Sequence, residues 1–235
     1  MSNQDFEPFS DGDWEDRGEI AWNEQDWRQF LGRHHLELQK YLETYESLRY
    51  EDDRLDEAAR IMGWDTSDWL TLSDEDEDDS EESGESWQMS DESEEDFTND
   101  PYTLHKHPVY IVTKALYSFL YSSWEAYTAQ APFPPGSSLN WNFGRSLHEG
   151  EMQAIMGLNA LDMGDVALTI CHLKLALSSV NRSLALLQSL PASQSQMTKI
   201  YAEEARVRLF DLREVWLRVI RDCREETQRR FREGF

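Results

Sequence analysis

Apolar side chains recur at alternating steps of four and three along much of this chain, which places them in one stripe down a helix. From Trp27 the stripe runs through Leu31, His34, Leu38, Tyr41, Tyr45 and Leu48. The same register continues through Leu55, Ala59 and Met62, interrupted at Asp52 and stopped at Gly63. One long amphipathic helix over 24–63 is therefore predicted. Val109, Val112, Leu116, Phe119 and Leu120 follow Pro108 at helical spacing, although the Val, Ile and Tyr content of this run leaves a strand as the alternative. Residues 131–144 carry three prolines and two glycines, and predict a loop packed down by Phe133, Trp141 and Phe143.

A helix from about 145 to 162 is read from Leu147, Ile155, Leu158 and Leu161. Met163, Gly164 and Asp165 then make a turn in which Gly closes one helix and Asp caps the next. The clearest stripe comes after it, through Val166, Ile170, Leu173, Leu177, Val180, Leu184 and Leu187, and Pro191 ends it. Ser193 and Gln196 have capping-box spacing for a last helix with core positions Tyr201, Ala205, Leu212, Trp216, Val219 and Cys223. Short connections make these neighbours antiparallel. The expected fold is all-α: an antiparallel bundle of four to five helices at 102–235, with the helix over 24–63 packed on it. The Ala160, Gly164, Asp165, Ala167 pattern faintly resembles a tetratricopeptide hairpin, but without a second copy at that family's period it implies no repeat array.

Charge changes the picture at the front of the chain. Residues 1–100 hold 34 Asp and Glu against 7 Lys and Arg, whereas residues 102–235 are nearly balanced at 13 against 15. The mixed, acidic stretch 1–23 reads as a loose arm, and 64–101 as an acidic disordered linker and insertion. Within the linker, like charges repel, and only Trp87, Met89 and Phe97 could offset the entropy lost on ordering. Ser73, Ser80, Ser90 and Ser93 stand upstream of acids in the manner acidophilic kinases prefer, so phosphate would deepen the charge.

A direct nucleic-acid binder is disfavoured, because phosphate affinity comes from clustered Lys and Arg. Membrane insertion is disfavoured too: the most apolar run, 166–177, contains His172 and Lys174. The first residues carry no signal-peptide core. Cys171 and Cys223 have neither metal-type nor disulfide-framework spacing and are expected as buried small apolar residues, which together point to a reducing cytoplasm.

Gly-rich phosphate loops, nucleophile elbows and zincin motifs are lacking. Two pairs, His34 with Glu37 and His148 with Glu151, each set an imidazole and a carboxylate one turn apart, and His172 adds a further donor. Di-iron bundles run Glu-x-x-His, the reverse order, so a metal-dependent helical-bundle enzyme is the alternative rather than the first reading. Trp141, Phe143, Arg145 and His148 form a second site-like cluster. Its Arg-then-His order resembles helical ribonucleases of the HEPN type, at a shorter spacing than that family's, and the residues are first read as helix decoration.

The first reading is a non-enzymatic interaction protein without a cofactor. Its acidic, aromatic-dotted segment, including Asp74, Glu75, Asp76, Trp87, Met89 and Phe97, would bind a basic protein, in the sharper form a nucleic-acid-binding one. An internal partner is also open to that segment, because nine arginines line the last helix from Arg206 to Arg232. A homo-oligomeric structural protein is the third reading, since the stripe over 166–187 is wide and the first helix is long enough to pair outside its own bundle.

Overall fold

A computed structural model describes residues 22–64, 103–132, 134–190 and 195–233 of the chain. All regular structure among them is helical: α1 (Glu24–Ser47), α2 (Arg54–Ile61), a 3-10 turn at Leu104–Lys106, α3 (Pro108–Gln130), α4 (Ser137–Asp162), α5 (Val166–Gln188) and α6 (Gln196–Glu233). The all-α expectation holds, and the alternative strand over 109–120 is a helix. Most of the arm 1–23, nearly all of the linker 64–101, Phe133, Pro191 and Ser193 lie outside the described residues.

Residues Met1–Leu36 and Glu37–Phe235 form separate compact units. In the first, Asn23 starts α1 with a reciprocal cap: its Oδ1 accepts from the Gln25 and Asp26 amides at 2.7 and 3.1 Å, and Asp26 Oδ2 accepts from the Asn23 amide at 3.0 Å. Trp22, Trp27 and Phe30 meet edge to face, with centroids 5.0–5.8 Å apart. Phe30 is buried, whereas Trp27 and Leu31, both expected in the core stripe, are 40 % and 48 % exposed.

The second unit is a four-helix bundle. Helices α3, α4, α5 and α6 pack in chain order, and α3 closes the ring against α6. Side-chain pairs fix three of these contacts as antiparallel, which leaves α5 antiparallel to α6 as well. Lys114 and Trp124 of α3 meet Glu151 and Asn140 of α4, while Thr113 and Tyr127 meet Trp216 and Thr198 of α6. Ser146 and Gln153 of α4 meet Ser183 and His172 of α5. All six expected core residues of α6 are buried, and in α5 Val166, Leu173, Val180 and Leu187 are buried with Ile170, Leu177 and Leu184 packed beside them.

Local signals explain the ends. Pro108 sits at the first position of α3, where a missing N–H costs nothing, and His107 Nδ1 accepts from the Val109 amide at 3.2 Å. Gly164 closes α4 at φ 75°, its amide bonding to Leu161 O and that of Asp165 to Ala160 O, both at 2.9 Å. Asp165 then caps α5 by accepting from the Leu168 amide at 3.0 Å, as the sequence predicts.

Two expectations need correction. The single helix over 24–63 is two, α1 and α2, separated by the acid-rich turn 48–53; Asp53 leaves the helical range at φ −96°, ψ 26°. The loop over 131–144 is shorter than predicted, because α4 begins at Ser137, directly after Pro134, Pro135 and Gly136. Phe143 is therefore a buried helix residue, 4.5 Å from the Trp124 ring, and Trp141 is 73 % exposed rather than packed under a loop. The start of α6 is capped by Ser195, whose Oγ accepts from the Thr198 amide at 3.4 Å.

Candidate functional site

The expected metal ligands do not converge. Among the described residues, no group of three or more His, Cys, Asp or Glu side chains is arranged to hold a metal ion. His34 and Glu37 stand one turn apart on α1, and among the described residues they belong to no group of three ligating side chains. Burial raises the pKa of Glu37 against the opposing pull of Lys40 and Lys106. His148 is exposed on α4, whereas Glu151, one turn on, points toward α3. There it accepts from Lys114 Nζ at 2.6 Å and from the Tyr121 hydroxyl at 2.8 Å, which occupies both carboxylate oxygens. His172 Nδ1 contacts Gln153 Oε1 at 2.8 Å. Glu151 and His172 are thus each engaged by a neighbouring side chain rather than by one another.

The second cluster divides in the same way. Trp141, Arg145 and His148 share the outer face of α4, and Arg145 Nε donates to Glu149 Oε1 at 2.6 Å. Phe143 turns into the core instead. The acidic candidates Asp74, Glu75 and Asp76 and the anchors Trp87, Met89 and Phe97 lie outside the described residues.

The most elaborate polar arrangement was not singled out by sequence reasoning. It joins α1 and α2 to α6. Asp211, 6 % exposed, accepts from Arg54 Nε and Nη2 at 2.7 and 2.6 Å and from the Tyr45 hydroxyl. The same carboxylate raises the pKa of Arg54 by hydrogen bonding, and adds to the burial that raises that of Tyr45. One turn earlier on α6, Arg208 is 1 % exposed and its guanidinium lies 3.5 Å over the Phe119 ring. Its two terminal nitrogens donate to Glu204 and to Glu46. Arg49–Glu204 and Asp56–Arg218 pairs flank these two sites. Four α6 residues, Glu204, Arg208, Asp211 and Arg218, therefore hold α1, α2 and the turn between them by charge.

A second missed feature is the close α4–α5 crossing. Ser146 and Ser183 pair at 2.8 Å, and a Cβ would press on α5 at both glycines, meeting Leu173 Cγ at 3.2 Å from Gly157 and Ser179 Cβ at 3.4 Å from Gly150. The recurrence of Ser146, Gly150 and Gly157 on one side of α4 is the signal that would have revealed it. Cys171 is exposed, contrary to expectation, while Cys223 is buried and its thiol is pushed up to about 11, first by burial and then by Asp222.

No helix among the described residues is long and apolar enough to cross a membrane. No protein-family model, no curated protein and no solved structure matches this chain.

Proposed function

We propose that this is a non-enzymatic interaction protein in which the helical bundle is a scaffold and the acidic run 73–100 is the recognition element for a basic, partly apolar protein. The observation that carries the reading is the charge partition: net −27 over residues 1–100 against +2 over 102–235. Side-chain pairing in the bundle supports it. The buried ionic groups Arg208, Asp211 and Glu151 are each matched by an opposite charge within the fold. The surplus charge thus belongs to the front of the sequence, where it would complement a cation-rich surface.

Trp87, Met89 and Phe97 supply apolar anchors among the acids, and acids at this density imitate the charge of a nucleic-acid backbone, so the partner class includes nucleic-acid-binding proteins. The test is parallel capture at low salt with the intact chain and with a chain lacking residues 73–100. The intact chain is expected to retain basic proteins that the shortened one does not. Equal recovery of the same proteins by both would remove the acidic run from the function.

A further inference from the structure

The outer face of α6 is partly apolar and carries three cations, Lys199, Arg206 and Arg213, against the exposed acids Glu203 and Glu214. Ile200, Phe210 and Leu217 are 54 %, 46 % and 41 % exposed. They span about 26 Å of helix at 1.5 Å per residue. Lys199, Arg206 and Arg213 run beside them, and neither Lys199 nor Arg213 has an ion-pair partner among the described residues. Arg206 reaches only Glu203, at 3.7 Å with both side chains largely in water. Exposed apolar side chains flanked by Lys199 and Arg213, which make no ion pair among the described residues, and by the loosely paired Arg206 are the complement of an acidic peptide with aromatic anchors.

We infer that this face of α6 is the docking surface for residues 73–100 of the same chain. The run carries 15 Asp and Glu and no Lys or Arg. The described chain before it is tied to the same bundle: Trp64 stacks on Tyr41 at 5.6 Å, and α2 is held to α6 through Asp56 and Arg218. Ser73 follows Trp64 by nine residues, a reach of up to about 30 Å. Covalent attachment sets an effective concentration on the order of millimolar, so even a weak peptide–helix contact is populated. The contact competes with the basic partner, which must displace α6 from the acidic run. The inference rests on the reading of 73–100 as a recognition element, and narrows it by naming the internal competitor.

Spin labels at Gln88→Cys and Glu203→Cys, in a full-length chain carrying Cys171→Ser, test it by pulsed dipolar spectroscopy; Cys223 is buried and stays unlabelled. Near 0.01 M salt, where the Debye length is about 30 Å, a short-distance population is expected. It should vanish near 1 M salt, where that length is about 3 Å, and in Arg206→Glu/Arg213→Glu with an unchanged helical spectrum. Salt alone tests the charge contact should that variant not fold. Absence of the short distance at low salt, its survival in the folded variant, or its loss on mixing with unlabelled chain, which marks contact with a second copy, each overturns the inference. None of these outcomes alters the capture experiment, so the two readings fail separately.

Discussion

Arg208 offers the sharpest test of how α1 is fastened to the bundle. Its side chain is 2 % exposed, donates to Glu204 O and Oε2 at 2.9 and 2.8 Å and to Glu46, and lies over Phe119. Hydrogen bonds to charged groups contribute about 1.5–3 kcal/mol each, and a desolvated cation–π contact about 2 kcal/mol. The glutamates are 33 % and 25 % exposed, so they rehydrate when the arginine is removed, and the hydrogen-bond contributions belong at the low end of that range. Arg208→Ala, which also leaves a cavity, should then cost about 3–5 kcal/mol. Arg208→Met keeps the apolar stem and should cost about 1–2 kcal/mol, with Arg208→Lys between them because an ammonium cannot fork to two carboxylates. Urea titrations followed by far-ultraviolet circular dichroism measure all three, and Arg208→Ala should also melt about 10 °C lower. An alanine variant within about 1 kcal/mol of the parent, or a methionine variant less stable than the alanine one, would refute the reasoning.

Two further predictions follow from buried polar groups. A Cβ on Gly150 would collide with the buried Tyr117 hydroxyl, which has no hydrogen-bond partner; Gly150→Ala should therefore cost about 1–3 kcal/mol. Tyr117→Phe should be neutral or stabilising and should recover much of that loss in the double variant, a coupling that denaturant titration of the cycle detects. His107 is held neutral by burial, with Asp162 pulling weakly the other way, so its pKa falls to about 4. The unfolded chain, with a pKa near 6.5, takes up the proton first as pH falls. The stability from neutral His107 is thus complete above about pH 6.5 and is lost progressively down to about pH 4, by roughly 3 kcal/mol. His107→Asn keeps an acceptor for the Val109 amide and should flatten the slope of stability against pH in that window. An unchanged slope would show that another group titrates there.

The bundle was legible because its signals are local and redundant. The stripe of α5 is regular over 23 residues, and the Gly164–Asp165 turn joins a left-handed cap to an N-cap, so periodicity and turn chemistry agree. The break between α1 and α2 was less visible, since no Gly or Pro marks residues 48–53; the acids there favour the turn, and Arg54 completes it through Asp211, 157 positions away. The early start of α4 has a similar cause. Asn140 receives the Trp124 indole at 2.8 Å and Phe143 packs on its ring, contacts that exist only after α3 has docked.

Site residues were harder to read because spacing along a helix does not say which neighbour each face meets. His148 and Glu151 have the right separation for a shared ligand, yet one is exposed and the other is bonded to α3. Conversely, the α6 arginines looked like a uniform basic stripe. Arg208 and Arg218 are committed to α1 and α2, and only the outer members remain for other partners.

The central claim is that function resides in the charge of residues 73–100. The most direct measurement is the affinity of the intact chain for a purified basic partner as a function of salt, alongside the chain lacking that run. A steep fall of log K with log salt, together with loss of most of the affinity on deletion, is predicted. A flat salt dependence, or equal affinities for the two chains at every salt concentration, would contradict it.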